Sequence, residues 1–177
     1  MVFLRYSLLL LTISVILSCQ NRKSTYQPIS QVPDLEMPDN HLKFKTIENY
    51  KNYKVIATHF RTDKNELRYI MANNPAYQAL NEKRPLSDGS IIVKIGWDIK
   101  QMPNFKAALE ANHLKRIEYM IKDKKQFGAN PGNWGYDRFV KSDNQYQAWK
   151  KGTASCISCH NIAKENDFMF TKLQKLD

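Results

Sequence analysis

The chain reads as an α+β domain built mainly of antiparallel sheet with a few short helices, and three observations predict this. Apolar and β-branched residues alternate with polar ones in several short runs, Gly, Pro and Asn clusters punctuate those runs at turn-length intervals, and only brief stretches carry helix-start signals. Of the 177 residues, 41–177 fit one ordinary domain able to bury a real core, and no internal repeat is visible.

Residues 1–18, "MVFLRYSLLLLTISVILS", place Arg5 ahead of an apolar run over 8–17. That run is shorter than the roughly 20 residues of a spanning helix, so it reads as a secretory leader. The run ends in "ILSC", which resembles a lipobox, and Cys19 then becomes the lipidated first residue of the mature chain. Plain secretion with an incidental cysteine is the alternative. Gln20 in place of an aspartate favours the outer membrane of a bacterium with two, so the expected location is a membrane-anchored lipoprotein on the periplasmic side. Residues 19–40 are polar and proline-spaced, without strand or helix periodicity, and read as a lipid-bearing tether.

Within the domain, 53–60 and 65–72 alternate as strands. "NNPAYQALNEK" offers Asn74 as cap and Pro75 at the first helical position, predicting a short helix. A Ser-Asp-Gly turn then leads into the strand "IIVKIGW", residues 102–113 read as a second short helix, and 114–123 as another alternating strand. "GANPGNWGYDRFVK" is a turn followed by an aromatic strand, and "NQYQAWKKGT" a mobile approach to the last two cysteines.

The formal charge is +10, one unit of which is Arg5 in the leader, and the lysines are scattered rather than clustered. Scattered charge on an exported chain argues against a nucleic-acid partner and suits an anionic membrane or an acidic redox protein.

Cys156, Cys159 and His160 form the CxxCH attachment site of c-type haem. Two thiols at this spacing on a helix can both reach the haem vinyl groups, and the following imidazole then lies beneath the ring as the proximal iron ligand. Three other readings stand beside it. A zinc site needs further ligands, whereas His41, His59 and His113 are isolated; a disulfide lacks the preceding βαβ unit; and the pair could be buried structural cysteines. Haem attachment outside the cytoplasm agrees with the leader. A second axial ligand would be a methionine, but Met169 is close behind His160 on the same segment, and Met71, Met102 and Met120 are more often core filler.

From about residue 53 to 173 the chain resembles the cytochrome P-460 and cytochrome c′-beta family, through "SDGSIIVK", "NPGNWGYDRF" and "SCISCHNIAKENDFMFTK" in that order. The resemblance implies a sheet-rich homodimer with one haem c per chain and a five-coordinate iron. It implies either oxidation of hydroxylamine or a similar small nitrogen compound, delivering electrons to a redox partner, or binding of nitric oxide and carbon monoxide. Simple electron carriage is a third reading.

By its place after "DGSIIV", Lys94 matches the lysine that cytochrome P-460 proteins bond to a haem meso carbon. Read alone, it is equally an edge-strand lysine that keeps its ammonium in water. Glu118 matches the carboxylate that in some members stands above the iron as a proton relay, and alternation puts it on one face with Arg116 and Met120. Its alternative is an exposed glutamate paired with Lys115, Arg116 or Lys122. Trp134, Tyr136, Phe139, Phe168 and Phe170 supply the candidate haem-packing aromatics.

Overall fold

The computed structural model describes residues 32–143 and 145–175. The expected leader and the lipidation site at Cys19 lie outside the described residues. Six strands form one antiparallel sheet whose spatial order is the order of the sequence. They are β1 (Lys54–Arg61), β2 (Glu66–Ala72), β3 (Ile91–Met102), β4 (Phe105–Lys122), β5 (Trp134–Ser142) and β6 (Gln145–Ala148). Among the described residues three short α-helices, α1 (Asn74–Asn81), α2 (Lys124–Phe127) and α3 (Ala154–His160), and several 3-10 turns accompany the sheet in an α+β domain. No helix among the described residues is long and apolar enough to cross a membrane.

Local chemistry sets the helix starts. Asn73, one residue before the expected cap, accepts from the N–H of Ala76 at 3.2 Å and also from that of Ile91 at 3.0 Å. One side chain therefore starts α1 and anchors it to β3. Asp123 caps α2 by accepting from the N–H groups of Lys125 and Gln126.

Three expectations are corrected. Residues 102–113, read as a helix, form the far end of the β3–β4 hairpin, where Ile99, Lys100 and Gln101 pair with Ala111, Glu110 and Leu109. The run "AALEA" has high helix propensity, but ladder pairing with β3 overrides it. The approach expected to be mobile contains β6, whose Tyr146 packs edge-on against Phe44 at 5.3 Å. The stretch read as tether is packed from residue 32 onward: Met37 is fully buried, and Glu36 bridges Lys43.

Alternation splits the sheet into two layers. Val93, Ile95, Trp97, Ile117 and Phe139 face one way and are covered by Met37, Leu42, Phe44, Ile47 and Tyr50 of the N-terminal segment. Ile70, Ile92, Met120, Trp134 and Tyr136 face the other way and meet α1, Cys156 and Met169. The second layer holds the candidate site.

Candidate haem site

Strand register builds one wall of a cavity of about 380 Å³. Ile70, Lys94, Glu118 and Arg138 are successive cross-strand partners over β2 to β5, and beside them run Ala72, Ile92, Met120 and Tyr136. Cys156, Cys159, His160, Met169 and Phe170 line the same cavity from the C-terminal segment. The wall is thus apolar in one row and charged in the next.

The CxxCH motif lies on α3, where Cys156 is buried and Cys159 exposed, and the two thiols are unbonded. The helix is approached through Gly152 at φ +71°, a left-handed conformation that glycine adopts without Cβ strain. Asp39 accepts from both the N–H (2.5 Å) and the hydroxyl (2.7 Å) of Thr153, the residue that precedes the helix. Asn40 donates to the carbonyl of Tyr136 at 2.7 Å.

His160 Nδ1 lies 2.6 Å from the carbonyl of Phe168. A carbonyl only accepts, so Nδ1 carries the proton and Nε2 keeps its lone pair for a metal. The imidazole is flanked by Tyr136 at 4.7 Å and Phe170 at 5.2 Å. Burial lowers its pKa against the opposing Phe168 hydrogen bond, so the ring is neutral at pH 7.

Glu118 is buried at the centre of the charged row, in ion pairs with Lys94, Arg138 and Arg116. Burial alone pushes its pKa up, but Lys94, Arg138 and Arg116 together outweigh that and hold it at about 2. It is a carboxylate at any physiological pH. Beside it the fully buried Glu66 takes Arg68 at 2.5 Å and Arg116 at 2.6 Å. Gly96 makes this possible, since a Cβ there would stand 3.1 Å from the Glu66 carboxyl carbon. Behind the wall, Asp137 is 2 % exposed and accepts from the N–H of Tyr119, and burial raises its pKa well above the usual carboxylate range.

The fold brings Lys94, Glu118, Cys156, Cys159 and His160 to one cavity. Of the cationic partners expected for an exposed strand glutamate, only Arg116 pairs with Glu118, which is buried and also meets Lys94 and Arg138. Lys115 and Lys122 pair elsewhere, and the Lys94 side chain is 28 % exposed. Of the aromatics, Tyr136 and Phe170 line the cavity, whereas Phe139 faces the other layer and stacks on Phe44 at 4.3 Å. Met120 and Met169 line it too, Met71 lies in the opposite layer, and Met102 ends β3 at the far hairpin. Arg138, Arg68 and the Asp39 link are site features that the sequence reading passed over. Alternation along β5 puts Arg138 on the face of Trp134 and Tyr136, a signal that could have found it.

This donor set fits a covalently held haem. It offers two unbonded thiols, an imidazole with a free Nε2, apolar walls for a macrocycle, and cations suited to anionic ring substituents. Among the described residues no group of three or more His, Cys, Asp or Glu side chains gathers around a bare-ion position. The family model described as Cytochrome P460 matches residues 47–171. No curated protein matches the chain.

Proposed function

The chain belongs to the cytochrome P460 family and is a haem c protein of that family, and on this premise we propose that it oxidises hydroxylamine or a similar small nitrogen compound. In this reading Cys156 and Cys159 carry the haem by thioethers, His160 is the proximal ligand, and Lys94 is joined to the ring. The observation that carries the reading is that Lys94 and Glu118 line the same cavity as Cys156, Cys159 and His160.

Haem, when bound through Cys156, Cys159 and His160, would supply redox chemistry at its iron. Around it, the Phe168 carbonyl fixes the His160 tautomer, and Arg138 and Arg116 hold Glu118 in place. Oxidation of hydroxylamine releases protons as well as electrons, and in this reading Glu118, a carboxylate lining the cavity, accepts them. With a pKa at about 2 it is a weak base while the Lys94 ammonium stays beside it. With its nitrogen borne on the ring, Lys94 would carry no ammonium charge, and Glu118 would be more basic. Electrons leave to a redox partner protein.

One observation favours a second reading, a c′-beta-like binder of nitric oxide and carbon monoxide. The Lys94 amine is ion-paired with Glu118 and partly exposed, and an ammonium is not a nucleophile. A simple electron carrier would need a second protein ligand to the iron. We further assign the protein to the periplasmic side of a membrane, held by lipid on Cys19, and to a homodimer.

Peptide mass spectrometry of the mature holoprotein tests the proposal. A haem peptide carrying Lys94 together with Cys156 and Cys159, in a protein that turns over hydroxylamine, supports the enzyme. A haem peptide with the two cysteines alone, the Lys94 peptide recovered free and no turnover, supports the gas binder.

A further inference from the structure

Behind His160 lies a second arrangement of side chains. Phe168, whose carbonyl receives Nδ1, has φ +63°, and its neighbour Asp167 has φ +50°. Two consecutive non-glycine residues in the left-handed region are unusual, and for a bulky residue such as Phe168 the conformation is strained. Strain of this kind persists only where surrounding contacts over-determine it.

Those contacts are present. Asp167 accepts two hydrogen bonds from Lys122 Nζ, both 2.7 Å, and one from Trp134 Nε1 at 3.2 Å. Lys122 and Trp134 are direct cross-strand partners on β4 and β5, so the two donors are aligned by the sheet before the segment arrives. The Phe168 ring occupies the space left by Gly132, where a Cβ would come within 2.4 Å of it. The N–H of Phe168 is spent on the carbonyl of Ala163. Side chain, ring and N–H are all fixed, and the carbonyl is left pointing at His160.

We infer that Lys122, Trp134 and Asp167 form a clamp that sets the strength of the proximal iron bond by holding the Phe168 carbonyl on His160 Nδ1. The inference rests on His160 being the proximal ligand. A carbonyl hydrogen-bonded to the far nitrogen of a metal-bound imidazole raises its basicity and fixes its orientation. Releasing the clamp lets residues 167 and 168 leave the left-handed region, and the hydrogen bond weakens. His160 then donates less charge to the iron, which favours the ferrous state.

Asp167→Asn is the decisive variant, because asparagine tolerates the left-handed conformation and only the charge that Lys122 grips is lost. In the ferrous holoprotein, resonance Raman should show the iron–histidine stretch shifted to lower frequency, and the reduction potential should move positive. Lys122→Gln should shift both in the same direction and decides alone if Asp167→Asn does not accumulate. Glu165→Gln, with a side chain 89 % exposed, is the control and should shift neither. Wild-type frequency and potential in Lys122→Gln and in any folded Asp167→Asn overturn the clamp. An iron–histidine band missing from wild type itself overturns the proximal assignment instead.

Discussion

Lys94 and Glu118 stand directly opposite each other on β3 and β4, and their charged groups meet on the cavity side of the sheet. A direct cross-strand pair places two side chains about 5 Å apart at their Cβ atoms, within easy reach of a lysine and a glutamate. The fate of Lys94 therefore decides the chemistry open to Glu118.

Lys94→Ala should keep the thioethers at Cys156 and Cys159 while losing the far-red absorption of a lysine-joined ring and at least tenfold in hydroxylamine turnover. Spectrum and turnover unchanged from wild type would dismiss any role for the lysine.

The ionised Glu118 gives stability a definite pH dependence. Its folded pKa lies below its unfolded value, so the contribution is present above about pH 4.5 and disappears as pH falls toward about 2. Glu118→Gln should cost on the order of 3 kcal/mol at pH 7, with the gap to wild type closing in acid. Urea unfolding at pH 3 and pH 7 measures it.

Asp137 has the opposite sign. Its raised folded pKa means that stability is lost as pH climbs above the unfolded value, because the unfolded carboxyl then ionises freely while burial keeps the folded one protonated. Asp137→Asn can still accept from the N–H of Tyr119 and should be more stable than wild type at pH 8. The advantage should vanish below pH 4; an advantage equal at both pH values would contradict the assignment.

Asp39→Ala removes the single carboxylate oxygen that accepts from both the N–H and the hydroxyl of Thr153, and leaves a largely buried N–H unpaired. A loss of about 1 to 3 kcal/mol is expected. Denaturant midpoints and the yield of covalent haem should fall together, since the link holds the start of the CxxCH helix.

Cys19→Ser should release the domain from membranes or block processing of the precursor. Fractionation of cells expressing the full chain, with N-terminal mass analysis, checks it. A wild-type chain found soluble and starting elsewhere would remove the lipid anchor from the account.

The strands over 53–60 and 65–72 were legible from apolar, β-branched and aromatic residues set between turn signals. Burial does not alternate strictly along them: Ile56 and Ala57 are buried in succession, as are Ile70, Met71 and Ala72. Residues 102–113 were not, because Ala107, Ala108, Leu109 and Ala111 carry helix propensity while Phe105 and Leu109 stay exposed, so no burial pattern corrects the local signal. Cys156, Cys159 and His160 were legible as a contiguous motif. Arg138 and Arg68 flank the central pair only through the register of four strands, and Asp39 meets Thr153 across 114 residues, which no local pattern encodes.

A sheet whose spatial order repeats the order of synthesis needs no crossover, and each strand can dock on the one made before it. The wall carrying Lys94, Glu118 and Arg138 is complete by Ser142, ahead of Cys156. The cofactor-bearing segment is thus made after that wall, and it meets a prepared surface rather than having to organise one. Closing Asp39 onto Thr153 is then a latch between segments 114 residues apart, and it can form only once the chain through Thr153 has been made.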